Sequence, residues 1–191
     1  MTTFPILHTP RLILGQLEVS DIPRIVEYAD NPNIANNLKA LPQPYREKDA
    51  ISWLHHAREG FDSQRVYIFK LGLKETNEFI GGMGLHLKKE HHKAEVGYWI
   101  GEPFWNKGYA TEALRAILKF GFEALDLNKI YAMYYDFNPA SGRVMENNKM
   151  IKEAELVDDE FKHGKFAAHI QYRLTKREYE ALNSKGRRNG R

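Results

Sequence analysis

KAEVGYWIGEPFWNKGYATEALRAILKFGFEAL, residues 93–125, contains a change of period that constrains everything around it. Over residues 93–101, Ala94, Val96, Tyr98 and Ile100 alternate onto one face of a strand, which sends Glu95, Gly97 and Trp99 to the other. From Ala110 onward the spacing becomes helical, with Ala110, Leu114, Ile117, Leu118, Gly121 and Leu125 forming one apolar stripe that must pack on a sheet. In the turn between them, the N–H groups from Asn106 through Tyr109 to Thr111 are the unpaired donors of a helix start. With the positive end of the helix dipole they can hold an anion. Gly108 lets a ligand come close to the backbone, Ala110 keeps the next turn small, and Lys107 adds a positive charge. The same residues also suit an ordinary strand-to-helix turn.

Working outward, RLILGQL (11–17), VYIFKLGLK (66–74), FIGGMGLHLK (79–88), KIYAMYYDF (129–137) and FAAHIQYRL (166–174) are rich in β-branched and aromatic residues and read as strands. Helical signals lie in SDIPRIVEYAD, with Ser20 or Asp21 as cap, and in REKDAISWLHHAREGF. A short helix is expected after Pro139, where Asn138 can cap and proline suits the first position. The order is strand, two or three helices, three strands, helix, strand, short helix, two strands. That order makes a mixed sheet of α+β character.

A chain of 191 residues, 42% hydrophobic, suffices for one sizeable core and is short for two. We expect a single domain over residues 1–183, followed by a basic, disordered tail over 184–191, since KGRRNGR (185–191) has no apolar side chain. The tail is either a solvated end or a weak electrostatic contact with nucleic acid or the ribosome. Without it the charge is near neutral, which argues against a dedicated nucleic-acid binder. No apolar run is long enough for a membrane span and the N-terminus lacks a signal-peptide layout, so a cytoplasmic protein is expected.

Several chemistries are excluded or disfavoured. There is no cysteine, hence no disulfide, thiolate zinc site or Cys nucleophile. His55 and His56 are adjacent, as are His91 and His92, while His86, His163 and His169 stand alone; neighbours point apart and no H-E-x-x-H occurs, so no metal is expected. There is no G-x-S-x-G for a serine hydrolase. A Walker loop would need Gly-Lys-Ser/Thr, and Lys107-Gly108 is the reverse order.

The run EVGYWIGEPFWNKGYATEAL (95–114), followed by FNPASGRVMENNKM (137–150) and YRLTKREYE (172–180), resembles the GNAT superfamily of acyl-CoA-dependent N-acetyltransferases. Within it, the chain most resembles the branch of bacterial enzymes acetylating ribosomal-protein N-termini at alanine or serine. The resemblance spans TPRLIL (9–14) to about Leu182. It implies a mixed, V-shaped central sheet of about six to seven strands flanked by helices, and acetyl-CoA as co-substrate. The family's pyrophosphate loop, Q/R-x-x-G-x-G/A, falls on Trp105 to Ala110, with Gly108 and Ala110 matching and Trp105 departing from the pattern. The cofactor-binding set implied is Trp99, Ile100, Asn106, Lys107, Gly108, Tyr109, Ala110, Thr111, Asn138 and Ser141. The pantetheine arm would pair with the strand ending at Trp99 and Ile100 as an added strand does. Asn138 would contact that arm and Ser141 would sit near the sulfur. The basic cluster of Arg143, Lys149 and Lys152 is a solvated surface by default, with Arg143 the member that could reach the adenosine phosphates.

The resemblance also makes Glu95 the catalytic base, with Ser141 as the acid that protonates the departing thiolate. Glu112 is a weaker candidate, because an acid in the first helical turn ordinarily complements the dipole. Deprotonating an α-amine of pKa near 8 at pH 7 costs about 1.4 kcal/mol, against about 4.6 for a lysine. A single carboxylate then suffices for a protein N-terminus or small amine. A non-catalytic acyl-CoA-binding module is the alternative, and the oligomer is expected to be a monomer or homodimer. Where the branch usually ends its short helix with glycine, this chain has Lys149; either Lys149 takes a left-handed conformation at about 1 kcal/mol, or Asn147 or Asn148 takes it instead.

Overall fold

The structure, a computed structural model, describes residues 3–162 and 164–188, with only the backbone described for 185–188. In chain order the elements are β1 (Leu7–His8), β2 (Leu12–Gln16), α1 (Ile22–Ala29), α2 (Pro32–Ala35), α3 (Glu47–Asp62), β3 (Val66–Leu73), β4 (Phe79–Lys88), β5 (Lys93–Ile100), α4 (Tyr109–Glu123), β6 (Lys129–Tyr135), α5 (Pro139–Asn147), β7 (Ile151–Lys162), β8 (Lys165–Thr175) and α6 (Lys176–Arg188). Within the described residues the strands form one sheet in the order β1-β2-β3-β4-β5-β6-β8-β7.

Every neighbouring pair is antiparallel except β5 and β6. That parallel pair registers only over Lys93–Glu95 against Lys129–Tyr131. Beyond it, Val96–Ile100 has no β6 partner, and the sheet opens there as the expected V.

Among the described residues, eight strands replace the six or seven expected. The extra one is β1, two residues long, which is too short to show a period of two. The sequence also hid α6, whose segment KREYEALNSKGRR is mostly polar; Tyr179 anchors it by stacking on Phe122 at 4.8 Å. The tail expected from residue 184 partly continues α6 in its backbone, while residues 189–191 lie outside the described residues, as does His163.

Two apolar clusters sandwich the sheet. On one face α4 buries Leu114, Ile117, Leu118 and Phe122 against Ala94, Val96, Ile100, Ile130 and Ala132. On the other, α1 and α3 bury Ile25, Tyr28, Ala50 and Ala57 against Ile68 and Phe79, with Trp53 and Trp99 packed alongside. The two faces of β5 therefore look onto different helices, as its alternation requires.

Candidate functional site

A cavity of about 330 Å³ passes through the V. It touches both faces of β5 at Tyr98, Trp99 and Ile100, the turn at Asn106 and Gly108 to Thr111, and α5 at Asn138 and Ser141. Most of the expected cofactor set is thus brought together. Lys107 stands beside the wall, its ammonium 5.5 Å from the centre of the Phe104 ring. Arg143 lines the cavity.

The turn is shaped by two left-handed residues, Asn106 (φ 58) and Gly108 (φ 79). Among the described residues, none of the main-chain N–H groups from Asn106 to Thr111 donates to a protein acceptor, and the first N–H returned to the helix is that of Glu112, to the Gly108 carbonyl at 3.0 Å. Successive free N–H groups in such a concavity, at a helix N-terminus, suit the oxygens of a pyrophosphate. Trp105, where the family pattern has Gln or Arg, does something different: its indole N–H donates to the Ile100 carbonyl at 2.7 Å. It thereby ties the turn to the end of β5.

Sequence reasoning missed what lies under the turn. Glu112 accepts the Thr9 hydroxyl at 2.6 Å, the Arg11 N–H at 2.8 Å and the Arg11 Nε at 2.7 Å. Arg11 in turn donates to the Lys107 carbonyl at 2.9 Å and covers the Tyr109 ring. Desolvation pushes the Glu112 carboxyl up, but these hydrogen bonds and the Arg11 charge outweigh it and hold the carboxyl below its ordinary value. Glu112 is therefore occupied in bracing the turn to the link between β1 and β2. Those partners are about a hundred residues away in sequence, so no local signal could have shown them.

At α5 the expected cap takes an unexpected form. Asn138 occupies the N-cap position without accepting a backbone N–H; its side-chain amide donates to Ser141 Oγ at 3.3 Å. The Tyr98 hydroxyl donates to the Ser141 carbonyl at 3.2 Å, and burial pushes the Tyr98 phenol well up. At the other end Lys149 itself takes the left-handed conformation (φ 62), which settles the question left open there. Asn148 instead caps α5 through its side chain, which donates to the Val144 and Thr111 carbonyls at 2.9 and 3.1 Å and couples α5 to the first turn of α4.

Glu95 lies outside the cavity, at the apex of the V. It is half-buried, accepts the Tyr131 hydroxyl at 3.3 Å and faces His86 across the β4–β5 pair. Loss of water around the His86 ring lowers its pKa; the nearby His56 ring, 6.5 Å away, lowers it further and Glu95 opposes both. Among the described residues no three His, Asp or Glu side chains gather into a metal-ligand set, and no helix is long and apolar enough to cross a membrane.

The model of the acetyltransferase (GNAT) domain matches residues 11–151. The uncharacterized N-acetyltransferase p20 of Bacillus licheniformis is 30% identical over 91% of this chain and 97% of its own length. The putative ribosomal N-acetyltransferase YdaF of Bacillus subtilis is 30% identical over 80% of this chain and 77% of its own. Among solved structures, the ribosomal L7/L12 alpha-N-protein acetyltransferase RimL in complex with coenzyme A superposes with a TM-score of 0.83 at 16% identity, covering 90% of this chain and 98% of that one.

Proposed function

This chain belongs to the GNAT acetyltransferase family, and from that premise we propose that it acetylates the α-amino group of a protein N-terminus in the cytoplasm, by direct transfer. It is an acetyl-CoA-dependent N-acetyltransferase. The non-catalytic alternative finds no support among these relatives. The names of YdaF and RimL point to ribosomal proteins as the source of the N-terminus.

One observation carries the reading: Val96–Ile100 runs free of β6 between a turn of unpaired N–H groups and Ser141. Acetyl-CoA supplies the thioester. The N–H groups of Asn106 to Thr111 bind its pyrophosphate, with Lys107 adding charge. The free edge of β5 at Trp99 and Ile100 pairs with its pantetheine arm, and Asn138 holds that arm opposite. Glu95 takes one proton from the α-ammonium group; as the N–C bond forms and the C–S bond breaks, the second proton that the nitrogen loses passes through the Ser141 hydroxyl to the sulfur. Holding amine and thioester in line contributes most of the rate, up to about 7–11 kcal/mol.

The test is thiol release from acetyl-CoA with a panel of N-terminal peptides, polyamines, amino acids and aminoglycosides. Peptides with a free α-amine should turn over fastest. Turnover of polyamines alone would overturn the choice of acceptor, and no thiol release with any amine would overturn the whole reading.

A further inference from the structure

The face of β5 that carries Glu95 has an unusual floor. In the β4–β5 ladder three residue pairs share this face: His86 with Glu95, Gly84 with Gly97, and Gly82 with Trp99. The central pair is glycine on both strands. The flanking glycine is explained by packing, since a β-carbon at Gly82 would lie 2.6 Å from the Trp53 ring. One at Gly84 would meet the His86 ring at 3.2 Å. Gly97 has no such neighbour: a β-carbon there would meet nothing within 4 Å among the described residues, and the residue is exposed. Its φ lies outside the left-handed region, so the backbone does not require glycine either. A glycine in a strand interior lowers stability by about 0.5–1 kcal/mol relative to alanine. The empty space above it is therefore the feature to explain.

That space is a trough. One end is closed by Trp53 and Trp99, whose ring centres lie 5.9 Å apart, and Trp99 also lines the cavity through the V. The other end holds Glu95, His86 and the Tyr131 hydroxyl. Gly97 lies between the proposed proton acceptor and the proposed thioester, immediately before Tyr98, the residue that reaches Ser141.

We propose that this trough is the acceptor channel, and that Gly97 is the specificity-determining residue that admits a chain-borne primary amine, laid against bare backbone, to the thioester. The inference rests on the acetyl-transfer reading above and adds the path of the acceptor to it. The amine nitrogen comes to lie over Gly97, within reach of Glu95 on one side and of the thioester on the other, and the aromatic end takes the apolar part of the acceptor.

The test compares Gly97→Ala and Gly97→Val with the native protein, using Gly15→Ala as a control. Gly15 is likewise a strand glycine whose β-carbon would meet nothing within 4 Å, and it lies on β2, away from the trough. Thermal melting, acetyl-CoA affinity and the kcat/KM of the best peptide acceptor are measured for each. All variants should melt at or above the native temperature and bind acetyl-CoA within about twofold, because no neighbour is displaced. Acceptor kcat/KM should fall by about 10-fold for alanine and about 100-fold for valine, as the amine is lifted progressively out of line by the added carbons, and stay unchanged for Gly15→Ala. If Gly97→Val transfers as fast as the native protein, the trough is not the channel. If it loses acetyl-CoA affinity instead, the space belongs to the cofactor and the proposal is likewise wrong. If the native protein transfers to no amine, the acetyl-transfer reading and this inference fall together; the other two outcomes sink the inference alone.

Discussion

The two sides of β5 are built from different materials. Toward α4 the site is mostly main chain: free N–H groups, two left-handed residues, an unpaired strand edge and a short helix. Toward α3 it is side chains gathered from separate elements, with Trp53 and His56 from α3, His86 from β4, Glu95 and Trp99 from β5 and Tyr131 from β6. A main-chain site recognises what every acyl-CoA shares. A side-chain site can vary with the acceptor while the scaffold stays fixed, so cofactor binding and acceptor chemistry should be separable by mutation.

The largest expected effect tests that separation directly. On the proposed reading Glu95→Gln removes the proton acceptor and nothing that holds acetyl-CoA. We expect kcat for the best peptide to fall by about 100-fold to 10,000-fold, with acetyl-CoA affinity unchanged by calorimetry. A matching loss of acetyl-CoA affinity would show that the two sides are one site.

Gly108→Val breaks the other side. Gly108 sits at φ 79, where a β-carbon would make only an ordinary contact with an Arg11 guanidinium nitrogen at 3.4 Å, so the strain of a substitution lies in the backbone. A β-branched residue forced into the left-handed region costs about 1–2 kcal/mol, and relief of that strain would close or tilt the N–H concavity. Acetyl-CoA affinity should weaken about tenfold or more, equivalent to about 1.4 kcal/mol. The kcat of the saturated enzyme should change far less. A fall in kcat alone would mean that the turn aligns the thioester and does not bind the cofactor.

The same contrast explains what the sequence could reveal. The proposed cofactor side was legible because its elements are contiguous: strand alternation, Gly108 and the helical stripe all lie within residues 93–125. Even there, Trp105 looked like a gap in the pattern until its indole was seen tied to the Ile100 carbonyl. The proposed acceptor side was legible only at Glu95. The pairing of Gly84 with Gly97 and of His86 with Glu95 depends on strand register, and a shift of one residue would put them on opposite faces. The brace of Arg11 and Glu112 was hidden for a related reason, since an acid in the first turn of a helix has a sufficient local explanation in the dipole.

That brace gives a smaller effect with a pH signature. Glu112→Gln loses charge-assisted hydrogen bonds to Thr9 and Arg11, and because Arg11 is half exposed the net cost should be only about 1–2 kcal/mol at pH 7. The native Glu112 carboxyl is held below its unfolded value of about 4.3, so its contribution is complete above that pH and is lost as the pH falls through the folded value. Melting curves of the native protein and the Glu112→Gln variant should therefore differ at pH 7 and converge as the pH falls through the lowered folded-state value. A difference that persisted in acid would assign the effect to packing. Acetyl-CoA affinity should weaken only a few-fold, because Arg11 keeps its bond to the Lys107 carbonyl.

The smallest effect tests whether the cofactor side stores strain for function or merely tolerates it. Lys149 is left-handed at φ 62, its side chain is exposed, and its N–H closes the end of α5 onto the Glu146 carbonyl at 2.8 Å. Glycine removes the steric penalty of that conformation but adds freedom to the unfolded chain, so the gain from Lys149→Gly should be about 0.5–1 kcal/mol, or about 1–4 °C in Tm. Ser141 and Asn138 lie at the opposite end of α5, and Asn148 holds that helix to α4 through the Thr111 carbonyl whatever stands at 149. If the strain is incidental, Lys149→Gly melts higher and keeps its acetyl-CoA affinity and kcat. If Lys149→Gly is more stable but slower, the strained turn positions Ser141, and part of the cofactor side depends on a side chain after all.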